Sequence, residues 1–144
     1  MKQAKPDTTI SQLFVEICKR RRNLLNEQMT ASGLYAGQDM LLYHLSVSDE
    51  RGISVSDLAE KICIQTATVS NMIRRMEANG LIKKETDGYD KRAFKVTLTQ
   101  KGKDAFKEVA LIWRAVHVQT TKGLTEEEMQ VLSSLLQKVL KNIS

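Results

Sequence analysis

The stretch that most constrains this chain runs from Ser54 to Leu98: SVSDLAEKICIQTATVSNMIRRMEANGLIKKETDGYDKRAFKVTL. Its hydrophobic period changes from helical to alternating partway along, so two short helices must lead into two strands. Ser54 with Asp57 three residues on approximates a capping box, and Val55, Leu58, Ala59 and Ile62 follow at helical spacing. Cys63-Ile64-Gln65 breaks that pattern. A second helix is then expected over about residues 66–79, with Val69, Met72, Ile73 and Met76 as its buried stripe. Gly80 stands where a helix ends in the left-handed conformation. Ile82 to Thr86 reads as a strand, Asp87-Gly88 as a turn, and Phe94, Val96 and Leu98 alternate with Lys95 and Thr97 as in a half-buried strand.

The other face of the second helix is the informative one. Ala67, Asn71, Arg74 and Ala78 point away from the buried stripe, flanked by Thr68, Ser70 and Arg75. Small residues permit close approach to another surface, and Asn, Ser, Thr and Arg reach base edges and phosphates in a major groove. Taken alone, an ordinary solvated face would read the same way, although no acid interrupts it between Gln65 and Met76. Context decides between them. A helix-turn-helix followed at once by a charged hairpin, here tipped by Tyr89-Asp90-Lys91-Arg92, is a winged helix. The expected fold is therefore mostly α with a small β-hairpin wing: a winged helix-turn-helix core flanked by N- and C-terminal dimerisation helices.

Charge is distributed to match. The chain carries +5 overall, yet residues 1–64 hold eight basic and eight acidic groups. Residues 65–101 hold eight basic groups against four acids. A basic lobe on a neutral scaffold is the pattern of a polyanion binder.

Several runs together resemble the MarR family of bacterial transcriptional regulators. They are Leu58-Ala59-Glu60, Ala67-Thr68-Val69-Ser70, Arg75-Met76-Glu77-Ala78-Asn79-Gly80-Leu81-Ile82, Asp90-Lys91-Arg92-Ala93 and Val96-Thr97-Leu98-Thr99-Gln100-Lys101-Gly102. The resemblance covers the central lobe closely and the flanking helices by pattern. It departs at Cys63, where many relatives have Gly; a non-Gly residue with positive φ is uncommon. It implies a homodimer on double-stranded DNA, acting as a repressor at a pseudo-palindromic operator and released by a small aromatic or phenolic effector, or by oxidation.

Roles follow from the two readings together. Ser54 and the start of its helix would face a phosphate through backbone N–H groups. Gln65, Thr66, Thr68, Ser70, Asn71 and Arg74 would sit at the major groove, with Asn71 and Arg74 placed for bidentate base contacts. The resemblance assigns Arg75 to the DNA backbone. Arg92 would enter the minor groove, where narrow geometry favours an inserted Arg, and Asp90 would hold its guanidinium by an ion pair. Lys83, Lys84, Lys91 and Lys95 would add phosphate contacts. Tyr35, His44, Trp113 and His117 are candidates for an effector pocket, though each side chain type is also common as half-buried core. The resemblance makes Cys18 on the first helix a candidate oxidant-sensing thiol, although a lone Cys there is more commonly a small core hydrophobe.

The flanks read as helices. Ile10, Leu13, Phe14, Ile17, Leu24 and Leu25 mark an amphipathic helix from Thr9 to about Ala31, and Met40, Leu41, Leu42 and Leu45 a second from about Gly37 to Ser46. Ile53 is expected to form a short third strand beside the wing. Thr99 is a plausible N-cap for a helix to about Thr121, with Ala105, Val109, Ile112 and Val116 on one stripe. Thr125-Glu126-Glu127-Glu128 is a capping box opening a last helix rich in Leu. These end helices are too long and apolar for one small lobe, and a two-fold dimer would cover the surplus. The expected division is 1–48 as N-terminal dimerisation helices, 49–101 as the DNA lobe and 102–144 as C-terminal dimerisation helices.

No phosphate-binding glycine loop, nucleophile elbow or paired acid/base constellation is present, so an enzyme is not expected. Two separated Cys give neither a disulfide framework nor zinc-ligand spacing, so neither metal nor cofactor is expected. With no apolar run near the ~20 residues of a membrane span, and no apolar segment at the N-terminus, a cytoplasmic location away from membranes is expected. The competing reading is a winged-helix module for protein–protein or RNA contacts. With Tyr89 as a partial exception, exposed aromatics for base stacking are lacking.

Overall fold

The computed structural model describes residues 8–87 and 90–144, and the side chains of these apart from 87 and 90–93. In chain order the elements are α1 (Thr9–Ala31), α2 (Gln38–Ser46), β1 (Ile53–Ser54), α3 (Val55–Ile62), α4 (Thr66–Ala78), β2 (Ile82–Asp87), β3 (Asp90–Leu98), α5 (Gln100–Thr120) and α6 (Glu126–Asn142). The expected fold is the observed one: a helical protein carrying one small antiparallel sheet in the order β1-β3-β2.

Local chemistry sets the element ends. Gly37, in the left-handed conformation, is the N-cap of α2. Ser54 and Thr99 cap α3 and α5 by accepting from Asp57 N–H and Gly102 N–H. Thr125 and Glu128 form the reciprocal capping box at α6. Gly80 takes a φ of +75°, and Leu81 N–H reaches back to Met76 O at 2.9 Å, closing α4 as a Schellman turn. Ile53 does pair with the wing, opposite Val96, and Ile82 lies opposite Leu98.

One core joins the helix-turn-helix to the helices before and after it. Met29 of α1, Leu41 and Leu42 of α2, Leu58 of α3, Val69, Ile73 and Met76 of α4, Val96 of β3, and Val109 and Val116 of α5 are all buried. Each such side chain contributes about 1.5–3 kcal/mol of hydrophobic stabilisation. The α5 stripe behaves as its periodicity predicts, with Val109, Ile112 and Val116 inside and Ala105 packed against them.

The ends of the chain behave differently. Only Met29 of α1 is fully buried, while Ile10, Leu13 and Ile17 of the expected apolar face are exposed. No residue of α6 is fully buried, and Leu132, Leu135, Leu136, Leu140 and Ile143 lie open. The amphipathic patterning is real; within one protomer these faces have no counterpart.

Candidate nucleic-acid interface

The helix-turn-helix is closed by a tight joint. Cys63 adopts φ 59° and ψ 40°, and it is the one non-glycine residue with positive φ among the described residues. Its N–H donates to Glu60 O at 3.2 Å and that of Ile64 to Ala59 O at 3.1 Å. The left-handed turn commonly made with Gly is thus made here with a side chain, at the strain a Cβ brings.

From this joint α4 projects with its stripe of Val69, Ile73 and Met76 pressed into the core. The opposite face is bare. Gln65, Thr66, Ala67, Thr68, Asn71, Arg74, Arg75 and Ala78 are exposed and Ser70 is half-buried. The first turn holds no acid, and Arg74 and Arg75 make no ion pair among the described residues. The start of the helix therefore presents unneutralised backbone N–H groups, which with the helix dipole favour an anion. Small side chains at Ala67 and Ala78 leave the backbone accessible between the long ones.

The Ser54 Oγ accepts from Asp57 N–H at 3.2 Å and lies 3.3 Å from Ser56 Oγ, which caps the start of α3. Lys84 also makes contacts within the protein. Its Nζ is 3.9 Å from Glu77 Oε1 and 4.7 Å above the Phe94 ring, bracing β2 against the last turn of α4. Lys83 is paired with Glu85 at 3.3 Å on the solvent side. Both pairs lie at the surface, where such contacts are weak. The side-chain roles expected of Asp90, Lys91 and Arg92 fall outside the described residues.

The four candidate pocket residues do not converge. Tyr35 lines a cavity of about 460 Å³ beside Gln38, Asn79 and Lys101. His117 lines another of about 410 Å³ between α5 and α6, with Met129, Leu132 and Leu136. Trp113 and His44 belong to an aromatic cluster instead: Tyr43 lies 5.5 Å from Trp113 and 5.1 Å from His44 between ring centroids, and Phe106 closes the group. A third cavity of about 530 Å³ opens between the end of α2, the wing base and α5, floored by Leu45, Leu98 and Phe106. None of the four expected residues lines it. Cys18 and Cys63 are both exposed thiols. Among the described residues no cluster of His, Cys, Asp and Glu is placed to hold a metal ion, and no helix is long and apolar enough to cross a membrane.

Two features of the interface escaped the sequence reading. One is the buried Asp39 that tethers Trp113. The other is the contact of Thr99, Lys101 and Gly102 with the end of α4. A glycine in the first turn of a helix costs about 1 kcal/mol relative to Ala, and that was the available signal of a close backbone approach at Gly102.

A bare, basic second helix, a three-stranded wing and long end helices define a winged helix-turn-helix protein. More narrowly, residues 37–94 match the model of the MarR family. The HTH-type transcriptional regulator YybA of Bacillus subtilis is 31% identical over 102 residues, covering 71% of this chain and 68% of YybA. YwaE, another HTH-type transcriptional regulator of that organism, is 34% identical over 86 residues. That match takes in 60% of this chain and spans half the length of YwaE (50%). The crystal structure of S. aureus MepR in complex with DNA superposes with a TM-score of 0.82 at 24% identity, covering 92% of this chain and 96% of MepR. The chain belongs to the MarR family.

Proposed function

We propose that this protein is a homodimeric, sequence-specific regulator of transcription that reads duplex DNA with α4 and the wing. The observation that carries the reading is the exposed, acid-free face of α4 from Gln65 to Arg75, set at the end of a helix-turn-helix with its first-turn N–H groups open. Gln65, Thr66, Thr68, Ser70, Asn71 and Arg74 sit in the major groove, with Asn71 and Arg74 the base readers, and Arg75 contacts the DNA backbone. At the wing tip Arg92, held by Asp90, occupies the minor groove, and Lys91 meets a phosphate.

Dimerisation is supported by the uncovered apolar faces of α1 and α6. Leu13 is 55% exposed, Leu140 64% and Ile143 79%, values uncommon for side chains that recur on one helical face. A two-fold copy packs them against each other. In that division residues 1–48 and 102–144 build the dimer and 49–101 read DNA. A two-fold pair places the recognition helices about 34 Å apart on half-sites about 10 base pairs centre to centre. The protein acts as a repressor at such a palindrome, and a small aromatic or phenolic compound, or oxidation at Cys18, releases it. The names of its relatives support transcription regulation, and the MepR–DNA complex supports the DNA partner.

A gel shift on duplex from upstream of the protein's own gene, with single-stranded RNA as competitor, tests the reading. Shifted duplex resisting RNA excess is expected. Displacement by RNA, or no shift with any duplex, would move the function to RNA or protein contacts.

A further inference from the structure

Three successive carbonyls that lead out of α4 are all taken by the start of α5. Lys101 Nζ donates to Asn79 O at 2.8 Å, the Thr99 hydroxyl to Gly80 O at 2.5 Å, and the Thr99 N–H to Leu81 O at 3.1 Å. The same hydroxyl accepts from Gly102 N–H at 3.1 Å, so one side chain caps α5 and grips the exit of α4 together. Gly102 completes the joint, since a Cβ there would overlap Leu81 O and touch Leu98 Cδ2 at 3.0 Å.

These bonds are not needed to end α4. Its Schellman turn already satisfies Met76 O and Glu77 O through Leu81 N–H and Gly80 N–H, at 2.9 and 3.0 Å. The donors from Thr99 and Lys101 are additional, and they add to the buried Leu81 and the Ile82–Leu98 pairing in holding this peptide run against α5. What they fasten α4 to is a lever. Helix α5 runs for 21 residues, about 31 Å. It packs along α1 and α2 and leads directly into α6.

We propose that Thr99, Lys101 and Gly102 are positioning residues that set the separation of the two recognition helices in the dimer, and so select one half-site spacing in DNA. The proposal rests on the DNA-reading function above. The required tolerance is small. One base pair is about 3.4 Å along the duplex and about 35° around it, so a one-pair error is about 1.7 Å and about 17° per protomer. Three hydrogen bonds and a glycine contact stiffen the exit of α4 beyond what the shared core and the Ile82–Leu98 pairing supply, and losing them gives residues 79–81 more room to turn. The hydroxyl is specifically required, because it must donate to Gly80 O while accepting from Gly102 N–H, and Ser can do this where Val cannot.

The test is selection of duplexes from a random library of roughly 30 base pairs, long enough for two half-sites, by wild type, Lys101→Met, Thr99→Val and Thr99→Ser. Wild type is expected to enrich an inverted repeat at a single half-site separation. Lys101→Met and Thr99→Val should enrich the same half-site sequence at separations spread by at least one base pair. Both should bind an isolated half-site duplex within about twofold of wild type, because the base-reading face is untouched. Thr99→Ser should keep the single separation. Loss of stability alone lowers the active fraction without changing which spacings are enriched, and Lys101 is exposed, so Lys101→Met folds even if Thr99→Val does not. An unchanged single separation in Lys101→Met overturns the proposal, as does broadening by Thr99→Ser to the extent seen with Thr99→Val. If wild type enriches no inverted repeat, the DNA-reading function itself falls and takes this proposal with it.

Discussion

The indole Nε1 of Trp113 donates to Oδ2 of Asp39 at 3.0 Å, joining side chains 74 residues apart. Asp39 is only 4% exposed and sits in the first turn of α2, where the helix dipole favours its charge. Trp113 lies on α5 within the aromatic cluster of Tyr43 and Phe106. The bond therefore ties the helix that supports the DNA lobe to the helix that leaves it.

Replacing Trp113 by Phe keeps most of the ring packing but strands a buried carboxylate oxygen, at a cost of about 1–3 kcal/mol. Asp39→Asn should cost less, since its amide oxygen still accepts from the indole. Urea denaturation followed by circular dichroism measures both. Wild-type stability for Trp113→Phe would mean that the bond carries no weight.

Cys63 makes the opposite kind of prediction. A side chain in the left-handed region costs about 1–2 kcal/mol, whereas Gly gives back part of that as unfolded-state entropy. Cys63→Gly should therefore be more stable than wild type by up to about 1 kcal/mol, Cys63→Ala close to neutral, and Cys63→Val, β-branched, the least stable. Thermal melts order the series. A destabilised Cys63→Gly would show that the thiol makes a contribution beyond the turn.

The DNA contacts separate by kind. Arg74→Ala should change which operator sequences are preferred, with about 1–3 kcal/mol lost at the base pair it reads. Arg92→Ala should weaken binding to all duplexes alike, because the minor groove distinguishes bases poorly. Titration against a panel of single-base operator variants tells the two apart. Equal loss on every duplex for Arg74→Ala would remove it from the base-reading set.

The uncovered face of α6 predicts the assembly. Leu136→Glu combined with Leu140→Glu puts charge into the proposed two-fold contact. Light scattering should then give the protomer mass of 16.3 kDa, against twice that for wild type. A doubly substituted protein that remains dimeric would exclude α6 from the interface.

Much of this architecture is legible in the sequence because it is set by local chemistry. The limits of α4 follow from its stripe and from Gly80, the capping box of α6 from Thr125 and Glu128, and the third strand from Ile53 beside an alternating hairpin. What escaped depends on contacts distant along the chain. Nothing near Asp39 signals that its partner is Trp113, and nothing near Lys84 signals that Glu77 will hold it. Tyr35 and His117 share a residue class but line separate cavities, because α5 carries His117 toward α6 and away from the loop bearing Tyr35. Ile10, Leu13 and Ile17 recur at helical spacing, yet in one protomer the face they form meets solvent.

Binding of the purified protein to duplex DNA from upstream of its own gene, titrated across salt, bears most directly on whether α4 and the wing read DNA. Tight binding to one palindromic stretch is expected, with affinity falling on the order of a thousandfold between about 50 and 200 mM salt, because the counterions that binding releases gain less entropy in more concentrated salt. Weak binding that is equal on all duplexes would leave the fold as described and contradict the regulator.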